Sequence, residues 1–376
     1  MSEQPLYDFA IVGGGMAGAS LAAELAPHAR VLVLEAEDAP GYHSTGRSAA
    51  FWDECYGGPE IVPLTLASLD YLEQQGVLAP RGAVYLAHQD NRGAIAAFMD
   101  RFGPTGARIE RLDSAALAAR VPHLREAWGC EAVAAPYCAD IDVAGLHQHY
   151  LGLARRHGAQ VACRARLARA HRAGGMWHLA SESGAEWRAA VLVNAAGAWA
   201  DAVAAMAGVR PLGIAPKRRC VAVLRVAPEA PADLPLTIDI AGSFYFKPDN
   251  GRLWLSPHDE VPSEPCDAAP EELDIAIAID RFQQVTDWRI AAVERRWAGL
   301  RSFAPDRAPV YGADPAEPGF FWFAGQGGFG IQTAPAAARL AAQMLLGQGR
   351  DAMTARLDAA LYAPARLNMG TEAISA

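Results

Sequence analysis

The run Asp8–Val12 is apolar after its first residue. It is followed by a glycine turn, an apolar stretch at helical spacing over Ala17–Leu25, and a second apolar run, Val31–Leu34, closed by Glu35. That order predicts strand, turn, helix, strand. Further on, Asn91–Arg101 and Ser114–Val121 read as helices, and Asp140–His157 as a long amphipathic helix. Residues 158–184 read as a meander of short strands, and the next segment as a buried strand passing through the small-residue turn at 194–199 into a helix. From Pro211 the spacing becomes strand-like (CVAVLRV, SFYFKP, RLWLSP). Loops rich in proline and acids, Pro228–Pro235 and His258–Pro270, separate these strands, and a helix over Pro270–Val285 follows. The segment FFWFAGQGGFGIQTAPAAARLAAQML is again strand, glycine turn and helix. Nucleotide-type segments thus stand at the beginning, middle and end, with strand-rich sequence between them. The expected fold class is α/β. A Rossmann-like domain would comprise residues 1–80, 139–210 and 306–376. An inserted β-rich substrate lobe of α+β character would comprise 81–138 and 211–305.

The first turn has a specific chemistry. Gly13 lets the chain turn sharply after the strand, Gly15 leaves no Cβ between backbone and a pyrophosphate, and Gly18 lets the helix pack close to the sheet. A phosphate then sits at the positive end of the helix, where free N–H groups point at it. Glu35 is placed to accept hydrogen bonds from ribose hydroxyls, which selects a nucleotide without a 2′-phosphate. The same three glycines also occur in ordinary glycine turns. The flanking strands, the helix and the terminal acid favour a dinucleotide site.

Composition narrows the function. The 376 residues are 52% hydrophobic and 20% charged, enough for a sizeable core. The net charge of −9 argues against a nucleic-acid partner, since a phosphate backbone demands a basic face. The amino terminus MSEQ lacks the positive region of a signal peptide. The most apolar long run, Ala189–Val209, contains Asn194 and Asp201, so no membrane span is expected. The six cysteines are scattered without a C-x-x-C pair, which points to a reducing, cytoplasmic location. No His/Cys cluster has metal-ligand spacing, and His147 and His149, two apart on a helix, do not share a face. No metal is expected.

The remaining glycine and hydroxyl segments favour a flavin. In Pro40–Ala50 the small and hydroxyl residues, including Ser44, Thr45 and Ser48, allow close approach to a flavin, with Arg47 near its phosphates or ring edge. Val193–Trp199, with Ala196 and Gly197, brings a buried strand end near the cofactor. Gly325–Thr333, with Gly327, Gly330, Gln332 and Thr333, opens a helix whose amino terminus would stabilise negative charge on a reduced flavin. Taken in order, GGGMAGAS…VLVLE, GYHSTGRSAA, VLVNAAGAWAD, PKRR, SFYFKP, WAGLRSFAPD and GQGGFGIQTAP resemble the D-amino-acid oxidase superfamily of flavoproteins, nearest to its D-arginine dehydrogenase branch. The resemblance covers about residues 6–365. It implies non-covalently held FAD, and hydride transfer from an α-amine carbon to flavin N5. The resulting imine hydrolyses to a 2-oxo acid and ammonia.

By the same resemblance, Arg219 and Arg301 hold the substrate carboxylate, Tyr245 hydrogen-bonds it, the Gly328 carbonyl receives the amino group, and Tyr56 lies over the substrate. Guanidinium forks suit that task, because they grip a carboxylate through parallel charge-assisted bonds. The alternatives are a solvated strand entrance for Lys217–Arg219 and a structural ion pair for Arg301. The branch has a histidine where this chain has Phe51, a threonine where it has Asp53, and an acid where it has Gly82. These departures imply a substrate pocket of changed preference. The plain alternative is that Phe51 and Trp52 are core and Asp53 caps a turn. His43 matches a position that bonds covalently to flavin in some relatives, but this branch holds FAD without a link. The strand Arg252–Ser256 carries no lysine, where some oxygen-using relatives have one, which favours a quinone-like acceptor over oxygen. Two other functions stay open: oxidation of a 2-hydroxy acid on the same fold, and a non-catalytic flavin-binding protein.

Overall fold

A computed structural model describes residues 6–91 and 93–368; the ends of the expected Rossmann-like domain, residues 1–5 and 369–376, lie outside the described residues. Two large sheets carry the chain.

The first sheet is built on a parallel core. Leu6–Val12 pairs in parallel with Val31–Leu34 on one side and with Glu186–Asn194 on the other. Gln160–Ala162 extends the sheet beyond Val31–Leu34, and Phe320–Ala324 extends it beyond the end of Glu186–Asn194, both in parallel. Antiparallel strands flank it, with Leu167–Ala173 and Met176–Ser181 at one edge and Val310–Ala313 at the other. The inner strands are buried along almost their whole length, as parallel strands covered on both faces are. Helices Met16–Leu25, Val143–Arg156 and Ala334–Leu346 pack together over one face, around Ile11, Leu21, Leu151 and Leu340.

Among the described residues the second sheet has nine strands. Its centre is a long antiparallel pair, Ala215–Ala227 with Arg289–Phe303. Arg252–Ser256, Tyr245–Asp249 and Leu236–Asp239 follow, then Ala83–Leu86, Glu131–Ala135 and Glu110–Asp113. The pleat sorts its side chains. Cys220, Ala222 and Leu224 face the helix Glu272–Val285, packing with Ile275, Ala278 and Phe282. Arg219 and Val221 face the opposite way, toward the first sheet. A small three-stranded sheet joins Phe51–Trp52, Ala139–Ile141 and Leu78–Pro80.

Two expected elements differ. The helix expected from Asp140 begins at Val143. Asp142 caps it, its carboxylate accepting from the Gly145 N–H at 2.9 Å, and the three residues before the cap pair as a strand with Phe51–Trp52. Gln160–Ala162 does not join the meander. The helix before it is a crossover, so the strand returns in parallel beside Val31–Leu34.

Candidate active site

One elongated cavity runs between the two sheets, enclosing roughly 1900 Å³ of empty space, part of it open to solvent. At one end stand Gly13–Met16 and Glu35; at the other, Arg219, Tyr245, Arg301, Phe51, Tyr56 and Gly328.

The first end is shaped for a dinucleotide. Gly13 has φ +107°, and a Cβ there would overlap the Ala195 carbonyl; a Cβ on Gly18 would overlap the Gly13 carbonyl. The helix Met16–Leu25 has no acid in its first turn, and the Thr45 hydroxyl accepts from the Met16 N–H at 2.9 Å. Glu35 is buried, with one carboxylate oxygen accepting from the Gly14 N–H and the other from the Glu37 N–H, each at 2.9 Å. Each oxygen keeps a lone pair for a ribose hydroxyl. His147 donates through Nε2 to the Gly14 carbonyl at 2.8 Å, and burial lowers its pKa. Ser44, Thr45, Ser48, Ala196, Gly197, Gly327, Gly330 and Gln332 line the same cavity, and the Ser44 hydroxyl donates to the Leu300 carbonyl at 2.6 Å. Small residues along one wall and an acid at the end of the second strand fit an FAD molecule laid along this cavity.

The second end is shaped for an anion. Arg219 and Arg301 lie on neighbouring strands, where Arg219 pairs with Gly299 and Lys217 with Arg301. The loop His258–Asp259–Glu260 clamps both. Arg219 donates to the Asp259 and His258 carbonyls at 2.8 and 3.0 Å, and Arg301 donates to the Asp259 carbonyl and the Glu260 carboxylate, each at 3.1 Å. Glu260 also pairs with Arg307 at 2.7 Å and Lys217 at 3.4 Å, and Arg219 lies 3.6 Å from the Asp259 carboxylate. Four cations therefore face two carboxylates, and the surplus suits an anionic ligand. Burial works against the Glu260 charge, yet Arg307, Arg301 and Lys217 outweigh it and hold its pKa down to about 2. Burial, then Arg219, lowers the pKa of Arg301. Tyr56 stands edge-on to Phe51 with centroids 4.8 Å apart, and Tyr245 is edge-on to Phe51 at 6.0 Å. A Cβ on Gly328 would sit 2.9 Å from Arg301 and 3.0 Å from the Tyr56 hydroxyl, so only glycine leaves this corner open.

Several expected site residues stand elsewhere. Asp53 and Gly82 do not line the cavity. Asp53 is fully buried behind Phe51, its carboxylate accepting from the Tyr85 hydroxyl at 2.7 Å and the Cys55 N–H at 2.8 Å. Gly82 serves the turn into Ala83–Leu86, with φ +74° and its N–H donating to Cys138 at 2.8 Å. Gly18 lies beneath the turn, and Thr333 is buried with its hydroxyl donating to the Phe329 carbonyl at 2.9 Å. Arg47 borders the cavity, but its guanidinium donates outward to the Ala268 carbonyl at 2.8 Å and pairs with Asp267, so its charge is engaged away from a phosphate. Among the described residues Cys220, Asp259 and Asp274 bring possible ligand atoms within 4.8 Å of one another, but Arg218 pairs with Asp274 at 2.9 Å and the Cys220 N–H donates to Asp259 at 2.9 Å. The clamp loop escaped the sequence reading. Its only signal was the demand that two adjacent buried arginines place on nearby acids, and the His258–Pro270 segment supplies them.

A dinucleotide cradle and an anion grip thus share one cavity. Residues 8–344 match the family model DAO, "FAD dependent oxidoreductase", and the chain belongs to that family. FAD-dependent oxidoreductase domain-containing protein 1 of Xenopus laevis is 28% identical over 176 residues, 42% of this chain and 35% of that protein. L-2-hydroxyglutarate dehydrogenase of Escherichia coli (strain K12) is 26% identical over 223 residues, 55% of this chain and 51% of that protein. The chain thus spans only a third to a half of the length of these curated relatives. Glycine oxidase from Geobacillus kaustophilus superposes with a TM-score of 0.81 at 22% identity, covering 95% of this chain and 98% of that one. L-proline dehydrogenase from P. horikoshii gives 0.84 at 20% identity, covering 98% and 99%. These likenesses show the fold. No helix among the described residues is long and apolar enough to cross a membrane.

Proposed function

We propose that the chain oxidises the Cα–N bond of a D-amino acid with an apolar or aromatic side chain, giving an imino acid that water converts to a 2-oxo acid and ammonia. The observation that carries this reading is the convergence of Arg219, Arg301, Tyr56, Tyr245 and Gly328 on one end of the cavity. Bound FAD supplies the acceptor for a hydride from the substrate Cα. The two guanidinium groups grip the carboxylate, the Tyr245 hydroxyl completes its hydrogen bonding, and the Gly328 carbonyl takes an N–H of the amine. Phe51 and Tyr56 close an apolar wall against the side chain. The acids that line the cavity, Glu35 and Glu37, belong to its dinucleotide end. A substrate guanidinium would therefore be buried without a partner, which disfavours D-arginine. His258 packs behind Tyr56 and Tyr245, where burial and the two arginines lower its pKa to about 2, so its imidazole is uncharged at neutral pH. Solvent then removes the proton from the amine. The D handedness rests on the motif resemblance, as do a quinone-like acceptor and a non-covalent flavin. His43 Nε2 is 3.0 Å from Glu37, and its ring packs on Trp199.

The likeness to L-2-hydroxyglutarate dehydrogenase favours a second reading, oxidation of a 2-hydroxy acid by the same grip. Assaying ammonia during turnover with an artificial acceptor separates the two. D-methionine, D-leucine or D-phenylalanine should release ammonia with a higher kcat/KM than D-arginine. Turnover of 2-hydroxy acids with no turnover of any amino acid would select the second reading.

A further inference from the structure

Asp53 is a carboxylate where the fold gains nothing obvious from one. It is fully buried, and among the described residues no cation is within ion-pairing distance of it. One of its oxygens takes both hydrogen bonds, from Tyr85 and Cys55, while Oδ2 is buried with no partner. An asparagine would make the same two bonds through its carbonyl oxygen, exchanging the buried charge for an unpaired amide nitrogen.

Its backbone neighbours lead to the site. Asp53 N–H donates to the Gln332 amide oxygen at 3.2 Å. The Gln332 amide nitrogen donates to the Asp53 and Tyr56 carbonyls at 3.3 and 3.2 Å and to the Thr65 hydroxyl at 2.9 Å. Tyr56 N–H donates back to the Asp53 carbonyl at 3.3 Å. Gln332 itself lines the cavity, and the Tyr56 hydroxyl stands beside Gly328 and Arg301. On its other side, Tyr85 belongs to the second sheet. The carboxylate therefore links that sheet to the turn that carries Tyr56.

We propose that Asp53 is a positioning residue that acts through the 53–56 turn and Gln332 to set Tyr56 at the substrate end, and that turnover responds to its protonation. The proposal rests on the reading of that end as the substrate site. The titratable groups facing Asp53 are Tyr85 from its strand, Cys55 and Glu54 from the turn, and Cys138. Glu54 is held by Arg108 at 2.6 Å. Burial raises the Asp53 pKa to about 6, partly offset by the Tyr85 and Cys55 hydrogen bonds. Above that pH the ionised carboxylate makes charge-assisted bonds that fix the turn; below it they weaken to neutral ones.

The test is the pH profile of the FAD-loaded enzyme with its best substrate. Wild-type kcat/KM should rise several-fold between pH 5 and 7. Asp53→Asn should retain flavin, keep only the steady rise that loss of the substrate amine's proton imposes with no inflection near pH 6, and gain thermal stability relative to wild type as pH rises across the same range. Tyr85→Phe removes a donor to the carboxylate and should move the limb to higher pH. A limb unchanged in Asp53→Asn, or a thermal shift equal at every pH, overturns the proposal. If no amino or hydroxy acid reduces the flavin, the functional reading fails. The thermal shift, and the pH dependence of propionate binding followed by flavin absorbance, then still decide the role of Asp53.

Discussion

Arg301 carries the sharpest expectation for a single residue. Its guanidinium borders the cavity while the Asp259 carbonyl and Glu260 carboxylate hold it in place. Arg301→Ala should keep FAD and lower kcat/KM by about 2–5 kcal/mol, or roughly 30- to several-thousand-fold, as truncating one partner of a buried charge pair does. Arg301→Lys should recover little, because an ammonium cannot copy the fork. Asp53 predicts a stability effect of opposite sense. Its folded-state pKa is raised, so its contribution to stability is fully present below the unfolded value and is lost as pH rises through about 6. Between pH 4 and pH 7.5, Asp53→Asn should gain on the order of 3 kcal/mol of stability relative to wild type in urea titrations. The motif resemblance made Arg219, Arg301, Tyr56 and Tyr245 legible by position. It left Asp53 open, since whether a carboxylate faces a cavity or a tyrosine across a seam depends on strands distant in sequence.

At the scale of elements, the glycine turn was legible because its constraints are local. A Cβ at Gly13 or Gly18 would collide with backbone, whereas at Gly15 its nearest neighbour would be the Thr45 hydroxyl at 3.2 Å. Gly13→Ala and Gly18→Ala should therefore abolish FAD retention or soluble expression. Gly15→Ala should fold and bind FAD more weakly. Flavin content per protomer, read by absorbance, ranks the three. Boundaries were less legible. Helical spacing at 140–157 gave no sign that Asp142 would cap the helix, because pairing of Ala139–Ile141 with Phe51–Trp52 is a long-range event. The same limit hid the placing of Gln160–Ala162. Periodicity reports a strand, whereas its neighbours follow from the crossover that precedes it.

For the whole molecule, the cavity lies between two sheets, so FAD would bridge both and couple their stability. Saturating FAD should raise the unfolding free energy by about 4 kcal/mol at a thousandfold excess over Kd. Thermal unfolding of stripped and reloaded protein measures this, and acid precipitation should release the flavin into the supernatant. The alternation of α/β and strand-rich segments made two sheets legible. The clamp loop was not, because it reaches the arginines only after the long antiparallel pair Ala215–Ala227 and Arg289–Phe303 has formed. The central claim is that this cavity oxidises an amino acid gripped by two arginines, and anaerobic mixing tests it most directly. The FAD-loaded protein is combined with D- and L-amino acids and with 2-hydroxy acids while flavin absorbance is followed. The account predicts full bleaching by apolar and aromatic D-amino acids, faster than by D-arginine, and its loss in Arg301→Ala. Bleaching by 2-hydroxy acids alone, or by none of these compounds, would contradict it.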